Sequence, residues 1–131
     1  MSGRFACAAN CIDGRVQEAV TTYLREAYGV DWVDMVTEPG INLILARDTD
    51  TEVVFNIMRR IRTSVQGHGS RVVAIVGHPD CKGNPAEKSE QTEHLRRAKA
   101  TTQQYDFHAD ITIVLLWVND DWRTVEVIDP T

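Results

Sequence analysis

Two short segments of the chain concentrate side chains that can bind a metal ion. The first has the sequence CIDGR at 11–15, and the second has the sequence HPDC at 78–81. Two thiolates and one imidazole suit Zn²⁺, and three protein ligands leave the fourth tetrahedral position open, as in catalytic zinc sites. We therefore take Cys11, His78 and Cys81 as candidate ligands of one zinc ion per chain.

Asp13 and Arg15 lie close enough to Cys11 in the sequence to act beside such a metal. Zn²⁺ lowers the pKa of a bound water from 15.7 toward about 7 and so supplies hydroxide at neutral pH. Asp13 can accept a hydrogen bond from that hydroxide. Arg15 can hold the carboxylate in a bidentate pair that keeps it off the metal. The alternative interpretation of the pair is a surface salt bridge at the start of a helix.

The elements around these segments alternate between strands and helices. Short apolar runs predict strands at 5–9, 32–36, 71–76 and 111–118, with a possible antiparallel edge strand at 123–128. Amphipathic or capped stretches predict helices at about 16–28, 51–65 and 85–105. The stretch between 37 and 50, which contains INLILA, is predicted as a loop.

This alternation predicts an α/β fold with a mostly parallel sheet of about four strands and helices on both faces. In the common strand order 2-1-3-4, ligands bind beyond the carboxyl ends of strands one and three, where the order reverses. Cys11 follows the first of these strands, and 78–81 follows the third. The two segments are therefore expected side by side at this crevice.

Length and composition restrict the class of protein further. The 131 residues, 43% of them hydrophobic and a quarter charged, predict one globular domain spanning 1–131. A net charge of −5 with dispersed basic residues argues against a nucleic-acid partner. The apolar runs are too short to span a membrane, and the N-terminus lacks the apolar core of a secretory signal. We therefore expect a cytoplasmic location.

The segments at 11–15 and 78–81 resemble the C-x-D-x-R and H-x-x-C signatures of β-class carbonic anhydrases, with the same order and the same strand-end placement. By this resemblance Cys11, His78 and Cys81 are the zinc ligands. Asp13 and Arg15 are the Asp–Arg dyad of that family. The implied reaction is the reversible hydration of carbon dioxide to bicarbonate. The resemblance also implies a homodimer or a higher homo-oligomer.

Two other functions are compatible with the same residues. The site could hydrolyse an analogue of CO₂, such as carbonyl sulfide or carbon disulfide. It could also be a non-catalytic zinc-binding or redox-sensing module, if Cys7 or Asp13 filled the fourth metal position. Cys7 alternates within the first strand, which favours the role of a small buried hydrophobic residue.

The other candidate residues carry weaker signals. His68, His94 and His108 are candidates for a proton shuttle only because imidazole titrates near neutral pH. Asp80 is predicted to shape the turn of the second segment. Trp122 is compatible with a place in the core, on a sheet edge or in a subunit contact.

Overall fold

The computed structural model of the protein describes residues 3–130. Within this range it contains five strands and four helices. In chain order they are β1 (Phe5–Asn10), α1 (Gly14–Tyr28), β2 (Trp32–Thr37), α2 (Ile41–Arg47), α3 (Thr51–Arg62), β3 (Val72–Gly77), α4 (Lys88–Gln103), β4 (Thr112–Val118) and β5 (Val125–Ile128). A π-helical turn, Thr63–Gly67, follows α3. No helix between residues 3 and 130 is both long enough and apolar enough to cross a membrane.

The five strands form one sheet in the order β2-β1-β3-β4-β5. The first four strands run parallel, and β5 pairs antiparallel with β4 at the edge. The predicted order 2-1-3-4 and the predicted antiparallel edge strand are confirmed. The direct pairing of β1 with β3 brings the ends of these two strands together.

Alternate side chains of β1 face two different hydrophobic clusters. Ala6 and Ala8 pack with the apolar stripe of α1 on one face of the sheet. Cys7 and Ala9 pack on the other face, with apolar residues of α2, α3 and α4. Because β1 is buried on both faces, its sequence is continuously apolar and does not alternate with polar residues. The predicted helical cover on both faces of the sheet is confirmed.

The predicted loop between 37 and 50 is wrong in its central part, which forms the helix α2. Ile41 and Leu45, one helical turn apart, are fully buried. Gly40 and Asp48, both in the left-handed region with φ of 61° and 50°, bound the helix. Seven residues make only about two turns, so the apolar period is too short to stand out in the sequence.

The polar helix predicted at 85–105 exists but spans Lys88–Gln103. Its buried stripe contains two polar and two apolar residues, in the order Gln91, Leu95, Ala98 and Thr102. A buried glutamine at the start of a helix needs hydrogen-bond partners, and Gln91 finds them at His78, in the loop that follows Cys81 and on α2.

Candidate metal centre

Cys11, His78 and Cys81 come together beyond the carboxyl ends of β1 and β3. Cys11 directly follows the last residue of β1, and His78 directly follows the last residue of β3. The two sulfur atoms are 3.8 Å apart, and the possible ligand atoms of the three residues all lie within 4.8 Å of one another. All three residues are buried. The structure thus brings together the three residues that the sequence predicted as a set.

The geometry of these three side chains fits a zinc ion. His78 Nδ1 lies 2.7 Å from the carbonyl oxygen of Pro79, so this nitrogen carries the proton. His78 Nε2 is buried and has no hydrogen-bond partner, which leaves its lone pair free for a metal. Two sulfurs at about 2.3 Å from a tetrahedral zinc lie about 3.8 Å apart, in agreement with the distance between Cys11 and Cys81.

The two ligand thiols share a hydrogen bond that shifts their pKa values in opposite directions. The hydrogen bond with Cys81 lowers the pKa of Cys11, and the nearby His78 side chain and the backbone N–H groups of Gly40 and Asp13 lower it further. The same shared hydrogen bond, together with burial, raises the pKa of Cys81. Binding of a metal as two thiolates releases any proton that the pair still carries.

Two glycine backbones cross next to the ligand sulfurs. A Cβ atom on Gly83 would lie 2.4 Å from the carbonyl carbon of Pro39, and one on Gly40 would lie 2.4 Å from that of Gly83. No side chain fits at either position without moving backbone. The crossing serves the site because the N–H of Gly40 reaches Cys11 and the N–H of Gly83 reaches Cys81.

Asp13 and Arg15 form the bidentate pair expected from their spacing. Arg15 Nε lies 3.0 Å from Asp13 Oδ1, and Arg15 Nη2 lies 2.7 Å from Asp13 Oδ2. Asp13 Oδ1 also accepts a hydrogen bond from the backbone N–H of Arg15 and so caps α1. The hydrogen bond from the Arg15 side chain is the main cause that lowers the pKa of Asp13 to about 2. The carboxylate is therefore ionised at neutral pH.

Arg15 has two further contacts that the sequence did not predict. Its Nη2 lies 3.3 Å from both the carbonyl oxygen and Oδ2 of Asp80, in the second ligand segment. Its guanidinium lies 4.0 Å from the ring centre of Trp122. Both Asp80 and Trp122 have positive φ, at 52° and 59°. Asp80 thus shapes the turn as predicted, and it also joins the two ligand segments through Arg15.

Trp122 comes from the turn between β4 and β5 and lies beside the metal site. Its ring centre is 5.9 Å from that of His78. The turn is held by Asp121, whose carboxylate accepts hydrogen bonds from the backbone N–H groups of Arg123 and Thr124. The sequence Asn-Asp-Asp at 119–121 predicts a turn, but no signal in it indicates that the turn points toward Arg15.

Cys7 does not belong to the group of possible metal ligands. It is fully buried among residues of the core cluster. Burial raises the pKa of this thiol to about 12. Cys7 is therefore buried within its strand, as the sequence predicted. Its position does not support the alternative in which Cys7 completes the metal site.

The three remaining histidines also lie outside the group of possible metal ligands. His68 Nδ1 lies 2.6 Å from Oδ2 of Asp34, and its ring stacks on Phe5. His94 lies 3.0 Å from Asn84. His108 pairs with a neighbouring carboxylate in the loop before β4.

The fold of this chain is similar to that of solved carbonic anhydrase structures. The structure of carbonic anhydrase from Streptococcus mutans matches this chain with a TM-score of 0.64 and 17% identity, over 94% of this chain and 81% of that one. The β-carbonic anhydrase isoform I from Trichomonas vaginalis matches with a TM-score of 0.53 and 16% identity, over 93% and 81% of the two chains. A β-carbonic anhydrase of Aspergillus fumigatus matches with a TM-score of 0.53 and 14% identity, over 94% of this chain and 74% of that one. These likenesses show the fold.

The family is shown by the sequence itself. The sequence model of the family described as "Putative carbonic anhydrase" matches residues 1–129. This chain belongs to that family, and its fold is similar to that of two β-carbonic anhydrases. Among curated proteins, no sequence matches it.

Proposed function

We propose that this protein is a zinc-dependent carbonic anhydrase that catalyses the reversible hydration of carbon dioxide to bicarbonate. One observation carries the proposal: the buried, unpartnered Nε2 of His78 lies with two cysteine sulfurs in a group that fits one zinc ion. The ionised Asp13, held by Arg15, lies two residues from one of these sulfurs. Membership of the carbonic anhydrase family supports an enzyme of this kind.

In this proposal Cys11 Sγ, Cys81 Sγ and His78 Nε2 hold one zinc ion per chain. A bound zinc ion would lower the pKa of a water molecule toward about 7 and so make it a nucleophile for CO₂ at neutral pH. The carbonyl oxygen of Pro79 orients the imidazole of His78 by accepting the hydrogen bond from Nδ1. The backbone N–H groups at both sulfurs stabilise the thiolate forms that a metal requires.

Asp13 and Arg15 have separate roles in this proposal. Asp13 is the ionised acceptor that orients the attacking water toward CO₂. Arg15 occupies both carboxylate oxygens with its side chain and so prevents Asp13 from becoming a fourth metal ligand. Because Arg15 also contacts Asp80, it holds the two ligand segments in one arrangement.

The test is stopped-flow CO₂ hydration with the metal content measured in the same samples. We expect close to one zinc per chain, loss of activity on chelation and recovery on addition of zinc. Cys7→Ala, which changes the cysteine outside the metal group, is the matched control for substitutions of the ligand cysteines. A fully zinc-loaded protein that hydrates no CO₂ would contradict the proposal. Turnover of carbonyl sulfide or carbon disulfide by that same sample would then indicate the analogue as substrate.

We also propose that the protein is a homodimer, or a higher homo-oligomer, in the cytoplasm. Ile12, directly after Cys11, is a large hydrophobic residue that is 63% exposed in the single chain, and a second copy would cover it. Three free cysteines support a reducing compartment. Light scattering at micromolar concentration tests the assembly, and a monomer there would contradict it.

A further inference from the structure

Two glutamines occupy equivalent places in the two halves of the site. Gln17 is the fourth residue of α1, the helix that follows the segment containing Cys11. Gln91 is the fourth residue of α4, the helix that follows the segment containing His78 and Cys81. From these equivalent positions, each side chain reaches back over the ligand segment that precedes its helix.

Gln17 binds the backbone of the first ligand segment. Its Nε2 lies 2.8 Å from the carbonyl oxygen of Cys11 and 3.1 Å from that of Asp13. It also lies 3.0 Å from the side-chain oxygen of Asn10. One amide group thus connects the end of β1, the first cysteine ligand and the residue that caps α1.

Gln91 binds the start of the second ligand segment and the loop that connects this segment to α4. Its Nε2 lies 2.9 Å from the carbonyl oxygen of His78 and 3.0 Å from that of Ala86, with the carbonyl of Asn84 at 3.3 Å. Its Oε1 accepts a hydrogen bond from Asn42 Nδ2 at 3.1 Å. Since Gln91 is fully buried, no water can replace it at these carbonyls.

In both segments the glutamine binds the carbonyl of the first metal ligand, Cys11 or His78. Such a bond fixes the peptide plane next to the ligand, and hence the direction in which its side chain leaves the backbone. Neither contact involves the sulfur or imidazole atoms that would bind the metal. The two amides therefore restrict the ligand segments whether or not an ion is present.

We propose that Gln17 and Gln91 are positioning residues that hold the two ligand segments in their metal-binding arrangement before the ion arrives. This inference rests on the proposed metal function of Cys11, His78 and Cys81. Loss of a buried donor leaves its acceptors unsatisfied, whereas water can partly replace a donor that is only partly buried, as Gln17 is. Loss of the Gln91 amide should therefore weaken metal binding more than loss of the Gln17 amide.

Titration with Co²⁺ against a competing chelator tests the proposal, because the thiolate-to-cobalt and d–d absorption bands report both affinity and geometry. The variants are Gln91→Met and Gln17→Met, which keep the length of the side chain and remove its amide. The matched control is Gln66→Met, which removes a Gln amide bond to the carbonyl of Phe107 outside the site. We expect Gln91→Met to bind Co²⁺ about 10- to 100-fold more weakly than wild type, as is usual for groups that orient ligands. Gln17→Met should lose less of its affinity for Co²⁺, and the absorption bands should be altered in both variants.

A folded Gln91→Met protein with wild-type affinity and wild-type bands would overturn the proposal. A role in stability alone would lower the melting temperature and leave both readouts of the folded protein unchanged. If Gln91→Met does not fold, the test rests on Gln17→Met, whose side chain lies nearer the surface. Wild-type Co²⁺ affinity and wild-type bands in Gln17→Met would then overturn the proposal. Wild-type protein that binds Co²⁺ tightly but hydrates no CO₂ contradicts the proposed enzyme and leaves the positioning role intact. Wild-type protein that binds no metal contradicts both.

Discussion

Cys7 and Cys11 lie four residues apart on or directly after β1, yet their surroundings give them opposite chemistry. Cys7 is enclosed by the core, and burial raises its pKa to about 12. Cys11 lies just beyond the strand, where hydrogen bonds from Cys81 and from backbone N–H groups lower its pKa. Both are almost inaccessible to solvent. Depth of burial and the donors around the sulfur therefore act together in setting the reactivity of each thiol.

The donors are present at Cys11 because the end of a strand frees backbone N–H groups from the sheet. Within β1 the backbone groups pair with β2 and β3, so none is left for the sulfur of Cys7. Beyond Asn10 the chain leaves the sheet, and N–H groups of the neighbouring loops point at Cys11 instead. The carboxyl edge of the sheet thus supplies both the ligands and the donors that stabilise them.

The largest effect is expected from removing a ligand cysteine. Cys81→Ser should lose most of its zinc, because a hydroxyl is a poor substitute for a thiolate, whereas Cys7→Ala should keep close to one zinc per chain. Metal analysis of the purified proteins measures this. Equal zinc in wild type and Cys81→Ser would contradict the ligand set.

The next largest effect concerns the dyad. Arg15→Ala frees the Asp13 carboxylate to occupy the open metal position, so CO₂ hydration should fall by at least about 10- to 100-fold with zinc retained. Asp13→Ala removes the acceptor but leaves the position open, so its rate should fall less steeply or recover at high pH. Stopped-flow assays across pH, with zinc quantified in each sample, distinguish the two. An Arg15→Ala protein within about twofold of the wild-type rate would contradict the proposed role, and one that loses its zinc would make Arg15 structural.

A smaller effect is expected at the glycine crossing. Gly83→Ala forces backbone apart at Pro39 and should lower the free energy of unfolding by about 1–3 kcal/mol, with weaker metal binding because the N–H to Cys81 moves. Gly14→Ala, inside the CIDGR motif, meets no atom within 4 Å and should leave stability unchanged or raise it by up to about 1 kcal/mol. Chemical denaturation and metal titration measure both. A larger loss of stability or of metal binding in Gly14→Ala than in Gly83→Ala would contradict the role of the crossing.

The smallest effect is expected at Cys7. Because its pKa is raised to about 12, the folded protein keeps this thiol protonated at pH 8, where an exposed cysteine with a pKa near 8.5 is partly ionised. Alkylation at pH 8 followed by peptide mass mapping should leave Cys7 unmodified in folded protein and modify it in denaturant. Rapid modification of Cys7 in the folded state would show that the core around it opens.

The sequence alone determined the sheet order and the meeting of Cys11 with His78 and Cys81. This was possible because parallel strands joined by helices have few arrangements, and all their carboxyl ends lie at one edge. The pairing of Asp13 with Arg15 could also be predicted, since two residues of separation leave little freedom. Their roles and that of the metal remain predictions.

The tertiary structure decided the contacts between segments that are distant in the chain. Gly40 against Gly83, Trp122 over Arg15 and Gln91 on the carbonyl of His78 each join parts of the chain that the sequence does not relate. Trp122 also takes a positive φ, which nothing in a tryptophan favours. In the sequence Gln91 is one of many polar residues of a polar helix, and only the structure shows that it binds buried carbonyl groups. Such contacts depend on the direction in which a loop leaves its strand, and packing of the whole chain sets that direction.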